Sequence, residues 1–269
     1  MSGLELTWKG GAGGPPLDAS ALQPAILEKL TGSHLSGLLL QHGNRRVKLG
    51  DLFAIQAKGE AGILVIKAAT DCFDGLGKGM SGGAIRVEGD VGDFLAQDLV
   101  DGSIEVSGSA GRYLATGMLG GRVRLGGDAG DFLGAALPGS RFGMQGGAVS
   151  IGGSIGRRAG DRMRRGLVAV DGDADTYLGA RMIGGTFVVG GKAGRHAGLS
   201  MRRGTLVLAS LAGEPLATFS DGGAHDLPWL HLLTAELAGI GSRQAALALR
   251  RTRFTGCAAA DGKGEILLA

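Results

Sequence analysis

The stretch Gly77-Lys-Gly79-Met80-Ser-Gly82-Gly83-Ala-Ile85-Arg-Val87-Glu-Gly89-Asp-Val-Gly92 decides the fold, because its pattern recurs over about half of the chain. Its clearest mark is a glycine followed, two and four positions later, by apolar residues. Seven glycines open such a unit: Gly83, Gly102, Gly121, Gly147, Gly166, Gly185 and Gly204. Successive opening glycines are 19 residues apart, except for one spacing of 26 that includes seven extra residues near 137–143. A fixed period of about 20 residues predicts a solenoid with one coil per repeat.

A column of long apolar side chains accompanies the glycines. It lies three residues before each opening glycine and contains Met80, Leu99, Met118, Met144, Met163, Met182 and Met201. Every methionine except Met1 therefore occupies the same position of the repeat. Because a flexible thioether fills space of irregular shape, this column is expected to stack inside the solenoid.

The alternating apolar positions predict short strands that are separated by glycine corners. Such strands bury their apolar faces only when coils stack, and each coil then adds about 4.8 Å to the column. The six-residue apolar period of left-handed solenoids is absent, because stepping six residues onward from Val87, Val106 and Leu125 reaches Asp93, Arg112 and Asp131. We therefore predict a mainly β protein, a right-handed single-stranded β-helix of about seven 19-residue coils.

The flanking sequence departs from the repeat and predicts two caps. Residues 1–56 indicate a small mixed α/β segment, and residues 57–209 form the glycine-repeat solenoid. Residues 210–269 are predicted to be a cap and docking segment, with helices over 229–237 and 243–251 and a final strand or arm.

Composition excludes several classes of protein. The 269 residues are 44% hydrophobic, which excludes a disordered chain, and the 54 glycines lack the three-residue period of collagen. No apolar run is long enough to span a membrane, and a net charge of +3 is too small to argue for a nucleic-acid partner. Two cysteines without a disulfide framework, and an N-terminus that does not resemble a signal peptide, favour a cytoplasmic location.

Charged residues alternate in sign along two columns of the repeat. Three residues after the opening glycines stand Arg86, Glu105 and Arg124, and ten residues after them stand Asp93, Arg112, Asp131 and Arg157. We expect opposite charges on neighbouring coils to stabilise the stack, by about 0.2–1 kcal/mol per pair.

The two halves of the repeat differ in net charge. Residues 83–140 carry a net charge of −4, whereas residues 141–203 contain eleven basic and four acidic residues. The basic half is a candidate site for an extended anion, a set of ion pairs to partner subunits, or a solvated face. The candidate cofactor-tail or partner-binding residues are Arg157, Arg158, Arg164, Arg165, Arg195, Arg202 and Arg203.

No pattern in the sequence predicts catalysis or metal binding. The five histidines do not pair at metal-ligand spacings, and no nucleophile is placed with a base and an orienting group. Matches to Gly-x-Gly-x-x-Gly lack the long helix that a dinucleotide site requires. We therefore predict no catalytic residue, and no metal or cofactor bound by this chain alone.

The repeat is similar to a known glycine-repeat domain. It resembles the domain at the C-terminus of glutamate synthase and in the C-type subunit of formylmethanofuran dehydrogenase. The segment Gly43-Asn-Arg-Arg-Val-Lys-Leu-Gly50-Asp-Leu-Phe53 resembles the second group. A chain of this length is more similar to the separate subunit, whose counterpart in aerobic bacteria is the C-type subunit of the formyltransferase/hydrolase complex.

The resemblance implies a role within an enzyme complex. Such a complex moves a formyl group from tetrahydromethanopterin to a methanofuran-type carrier and releases formate during formaldehyde oxidation. The formyltransferase and the metal-containing hydrolase would be other chains, and this subunit would be a non-catalytic scaffold. Two alternatives remain open: the C-type subunit of a tungsten- or molybdenum-dependent formylmethanofuran dehydrogenase, and a module that holds the acidic tail of the cofactor.

Overall fold

The computed structural model describes residues 2–11 and 13–269, and it is mainly β. The N-terminal elements, in chain order, are β1 (Ser2–Trp8), β2 (Leu17–Asp18), α1 (Pro24–Leu27), α2 (Gly32–Ser36), β3 (Leu39–His42), β4 (Arg45–Lys48), α3 (Leu49–Leu52), β5 (Phe53–Glu60), β6 (Ile63–Ala69) and β7 (Phe73–Asp74). The repeat strands are β8 (Ser81–Gly89), β9 (Asp101–Val106), β10 (Arg122–Leu125), β11 (Gln145–Ile151), β12 (Arg165–Val170), β13 (Thr186–Ala193) and β14 (Arg203–Leu211). The C-terminal elements are β15 (Ser220–Asp226), α4 (Leu230–Gly239), β16 (Arg250–Gly256) and β17 (Lys263–Leu268).

The repeat strands form the centre of one large, mostly parallel sheet. Its 13 strands follow the order β15-β16-β17-β14-β13-β12-β11-β10-β9-β8-β6-β1-β5. Equivalent positions of successive repeats pair in register, as Ile85 does with Ile104 and Ile104 with Val123. Residues that are one repeat apart in the sequence are therefore hydrogen-bonded neighbours in the sheet.

Two further rows of hydrogen bonds join each repeat to the next. One row consists of isolated parallel bridges eight residues after each opening glycine, through Val91, Ala110, Ala129, Ile155, Ala174 and Ala193. Another row runs through the turns, where the amides of Ala96 and Ala115 donate to the carbonyls of Leu76 and Leu95. Consecutive repeats are thus bonded at several points along the chain path.

The methionine column and the opening glycines fit together inside the protein. All six methionines of the column are fully buried. The methyl groups of five of them occupy the space above the opening glycine of the next repeat, where a Cβ on Gly185 would lie 2.8 Å from the Cε of Met163. The opening glycines also have positive φ, between 79° and 110°, so both backbone and packing require glycine there.

Other glycines of the repeat are required by close approach of neighbouring backbones. At Gly126 a Cβ would lie 2.4 Å from the carbonyl oxygen of Ser107, although Gly126 has no left-handed backbone. Left-handed backbone also occurs at non-glycine residues, which lie eleven positions after six of the seven opening glycines: Phe94, Tyr113, Phe132, Arg158, Tyr177 and His196, with φ of 57–66°.

The C-terminal segment covers part of the outer surface of the large sheet. Leu230 and Leu237 of α4 are fully buried, and α4 packs on a cluster made of Ala169, Val188, Val207 and Leu267. These four residues continue the column that contains Arg86, Glu105 and Arg124. The outward side chains therefore change from charged to apolar where α4 begins to cover them.

The sequence prediction for the two ends was partly correct. The predicted strand at 4–8 and the helix at 229–237 are present as β1 and α4. The helix predicted over 243–251 was wrong, because Leu247 and Leu249 pack beside α4 without helical structure and β16 then begins at Arg250. The boundary predicted after residue 56 lies inside β5, and β1 pairs with β6, so the N-terminal strands continue the large sheet.

Candidate functional site

The two predicted charge columns form ion pairs between neighbouring repeats. Arg112 lies 2.7 Å from Asp93, Arg157 lies 3.5 Å from Asp131, and the Arg124–Glu105 pair is 3.8 Å apart. The arginines are well exposed, so water screens the pairs and each pair adds little to the stability of the fold. These six residues therefore have ion-pair partners within the chain.

Planar side chains stack beside the second charge column. The rings of Phe94 and Tyr113 have centroids 5.4 Å apart, and those of Tyr113 and Phe132 are 4.8 Å apart. The guanidinium of Arg158 lies 5.1 Å from the centroid of Tyr177, which in turn stacks on His196. Because these rings stack along the column, their faces are used within the chain.

The seven-residue insertion contributes two residues to a concavity that contains five arginines. We define the arginine cleft by Arg141, Phe142, Arg162, Arg164, Arg181, Ile183, Ser200, Arg202 and Ala260. Its volume is about 590 Å³. The insertion supplies Arg141 and Phe142, the repeats supply the next six residues, and the turn before β17 supplies Ala260.

Three arginines of the cleft have partners within the chain. Arg181 forms a two-point pair with Asp161, whose residue is only 6% exposed, and the paired carboxylate raises the pKa of Arg181 above its usual value. Arg202 lies 3.0 Å from Asp261, and Nη1 of Arg162 donates to the carbonyl of Ser140 at 3.1 Å. These contacts hold the walls of the cleft in place.

Arg141 and Arg164 have no such carboxylate partner. Their guanidinium carbons lie 5.0 Å and 4.8 Å from the centroid of the Phe142 ring. Within residues 2–11 and 13–269, no acidic side chain is in ion-pair contact with either of them. A cation over an aromatic face is held in place yet keeps its hydrogen-bond donors available. The pair therefore presents two oriented positive charges to an incoming anion.

The structure divides the seven predicted arginines into three groups. Arg164 and Arg202 line the cleft, and Arg158 is connected to it because Asp161 pairs with both Arg158 and Arg181. The other four residues lie outside the cleft: Arg165 and Arg203 begin strands β12 and β14, and Arg157 and Arg195 stand ten positions after opening glycines.

The predicted residue set contained two of the nine cleft residues, Arg164 and Arg202, and missed the other seven, among them Arg162 and Arg181 of the repeats. Two of the missed residues, Arg141 and Phe142, belong to the insertion that interrupts the 19-residue spacing. An arginine followed by an aromatic residue at the one irregular spacing was the available signal.

An acidic concavity near the N-terminal end of the repeat has a structural explanation. Its volume is about 760 Å³, and its lining includes Asp74, Asp90 and Asp93. The side chains of these aspartates accept backbone N–H bonds from the next repeat, for example from Asp93 to Asp74 at 2.8 Å. Burial is the main cause that raises the pKa of Asp74. In the described part of the chain, no group of three or more histidine, cysteine or acidic residues could hold a metal ion.

The cysteines have no features of a reactive thiol. Cys72 and Cys257 are both buried and free. Burial raises the pKa of the Cys72 thiol, which opposes formation of the nucleophilic thiolate.

Among the helices of the described residues, none is long and apolar enough to cross a membrane.

The chain is similar along nearly its whole length to a chain of a solved structure. That structure is the formyltransferase/hydrolase complex (FhcABCD) from Methylorubrum extorquens, whose crystal structure was determined in complex with methylofuran. The two chains share 38% sequence identity with a TM-score of 0.92, over 98% of each chain. No protein-family model matches the sequence, and no curated protein matches it.

Proposed function

This chain belongs to the family of the FhcABCD chain that it matches, and on that premise we propose that it is a subunit of a formyltransferase/hydrolase complex. The observation that carries the proposal is the match over 98% of both chains at 38% identity. The match extends over the N-terminal segment, the repeat and the C-terminal segment alike. The glycine-repeat resemblance supports the C-type subunit as the role of this chain.

The complex that we propose uses a methanofuran-type cofactor and contains formyltransferase and hydrolase subunits. It would take the formyl group from tetrahydromethanopterin and release formate in formaldehyde oxidation, with the hydrolase metal in a partner. We propose a non-catalytic, cytoplasmic scaffold role for this chain. Supporting this role, the aspartates of the acidic concavity bind backbone amides, and the cysteines are buried.

We also propose a right-handed single-stranded β-helix as the architecture. It would comprise residues 57–209, with caps formed by residues 1–56 and 210–269. In-register parallel pairing of seven repeat strands supports it, together with the bridges at Val91, Ala110 and the equivalent positions. A wound column fits a scaffold because its length presents several outer faces to different partners.

The test of the subunit role is co-purification. A tagged form of this chain, co-expressed with the neighbouring candidate subunits, is expected to recover formyltransferase and hydrolase chains in fixed ratio, identified by mass spectrometry. The purified chain alone is expected to show neither activity. Failure to recover any partner, or activity of the isolated chain at the rate of the complex, would refute the role. A partner that binds a metal–pterin would support the dehydrogenase alternative.

A second candidate function is binding of the acidic tail of a methanofuran-type cofactor in the arginine cleft. The specific observation in its favour is the pair of guanidiniums at Arg141 and Arg164, which lack carboxylate partners and flank Phe142. Arg202, also in the predicted set, lines the same cleft. Carboxylates accept charge-assisted hydrogen bonds from guanidinium groups, so a chain of carboxylates matches this surface.

Charge reversal tests the second candidate. In the intact complex, the double variant R141E/R164E is expected to raise the apparent Michaelis constant for the cofactor about tenfold or more, because each charge-assisted contact is worth about 1.5–3 kcal/mol. R122E is the matched control, since Arg122 is an exposed arginine at the start of β10 and does not line the cleft. An unchanged constant in the assembled double variant would exclude cofactor binding at this cleft.

A further inference from the structure

Helix α4 has an apolar outer face in addition to the face that packs on the sheet. Leu230 and Leu237 point to the sheet and are fully buried. On other sides of the helix, Leu232 is 75% exposed and Trp229, just before the helix, is 40% exposed. Of the ten helical residues, Glu236 alone has a carboxylate, and none is a lysine or an arginine. Exposed apolar side chains that lie together on one side of a helix are typical of an interaction surface.

Five exposed residues at the helix form one continuous stripe, and the exposed residues His231 and Ala238 lie outside it. Trp229, Leu232, Ala235, Glu236 and Gly239 follow spacings of three and four residues, so they share one side of the helix. We call these five residues the α4 stripe. Its two large side chains lie at the beginning of the helix and its small residues at the end, so that a partner could approach the backbone closely near Gly239. Such spacing is typical of a helix that docks in a groove.

The α4 stripe also carries one charge without a partner. In the described part of the chain, no basic side chain pairs with the exposed carboxylate of Glu236, whereas the nearby Asp226 pairs with Arg250 at 3.4 Å. Burying Glu236 against an entirely apolar surface would be costly. A complementary surface therefore needs an apolar groove with a basic side chain at its rim.

The size of the stripe argues against a second copy of this chain as the occupant. A ten-residue helix is about 15 Å long, and a symmetric contact between two such helices would fall well below the roughly 1,200 Å² that specific interfaces bury. A groove of a larger partner surrounds the helix and buries more surface per residue. The face opposite the stripe is already held by the sheet, so α4 needs no rearrangement to dock.

We propose that the α4 stripe docks into an apolar groove with a basic rim on another subunit of the complex, with Trp229 and Leu232 as the anchors. The inference rests on the proposed subunit role, and it assigns a particular surface to that role. Through α4, the outer side of β12 to β14 would then be connected to the partner.

Co-purification of variants tests the docking surface. In the co-expressed complex, L232E is expected to reduce recovery of one partner about tenfold or more, because it places a carboxylate in an apolar groove. E236K is expected to reduce recovery severalfold, since it opposes the basic rim. L39E is the matched control, because Leu39 is a 54% exposed leucine in β3, outside α4. Thermal unfolding of each variant chain checks that its fold is intact.

The possible outcomes distinguish a failure of the docking proposal from a failure of the subunit role. Full recovery of every partner with L232E would overturn the docking proposal and leave the subunit role standing. Equal loss with L39E and L232E would also overturn it, because the effect would not be specific to α4. If the unsubstituted chain recovers no partner, the subunit role fails and the docking proposal fails with it. A dimer of the chain alone that L232E converts to a monomer would show that a second copy is the occupant, contrary to the proposal.

Discussion

The substitution Gly146→Ala is expected to destabilise the protein by about 3 kcal/mol, which is a large part of the stability of an ordinary domain. Gly146 lies in β11, and a Cβ there would be 2.1 Å from the carbonyl oxygen of Leu119 in the preceding repeat. That oxygen belongs to the backbone of the stacked column, so it cannot move away as a flexible side chain could. Urea unfolding followed by circular dichroism measures the effect.

The control for this prediction is Gly11→Ala. No atom lies within 4 Å of a Cβ placed on Gly11, and its backbone is not left-handed. We expect its free energy of unfolding to stay within about 0.5 kcal/mol of that of the unsubstituted protein, as for most surface changes. If Gly146→Ala were equally mild, the repeats would be less closely stacked than the structure shows.

The substitution Met163→Ala is expected to lower the free energy of unfolding by about 2–5 kcal/mol. Met163 is fully buried, and its methyl fills the space above Gly185 in the next repeat. Alanine would leave a cavity above a glycine that has no side chain, and the neighbouring repeats cannot close it because hydrogen bonds hold their backbones in place. The same urea titration measures the loss.

Met163→Leu is the matched control, because the protein already has a leucine, Leu99, at the equivalent position of another repeat. A change that nearly conserves volume usually costs less than about 1.5 kcal/mol. Equal effects of alanine and leucine would mean that the column does not fill the space above the glycines.

The paired columns of methionines and glycines predict that the repeat tolerates little change at these two positions. The long side chain of one repeat requires a glycine in the next, and that glycine also has a positive φ that other residues avoid. The methionine and glycine columns therefore depend on each other, and the period of 19 residues is maintained by packing as well as by backbone pairing.

The sequence by itself determined the seven repeat strands of the large sheet, their register and the buried columns. A fixed period makes residues one repeat apart into neighbours, so a pattern read along the chain also predicts contacts; the Arg112–Asp93 and Arg124–Glu105 pairs follow from it. The same reasoning identified Arg164 and Arg202 as members of one basic surface. It also predicted the helix now seen as α4, but not the surface that this helix covers.

Only the tertiary structure decided which basic residues line the solvent-exposed arginine cleft and which residues α4 contacts. Arg141 and Phe142 lie in an insertion without a period, so nothing in the spacing relates them to Arg164 and Arg202. Helix α4 covers Ala169, Val188 and Val207, which lie tens of positions before it in the sequence. Such contacts depend on how an irregular segment closes over a regular one, and that is decided by shape and burial in three dimensions rather than by a repeat.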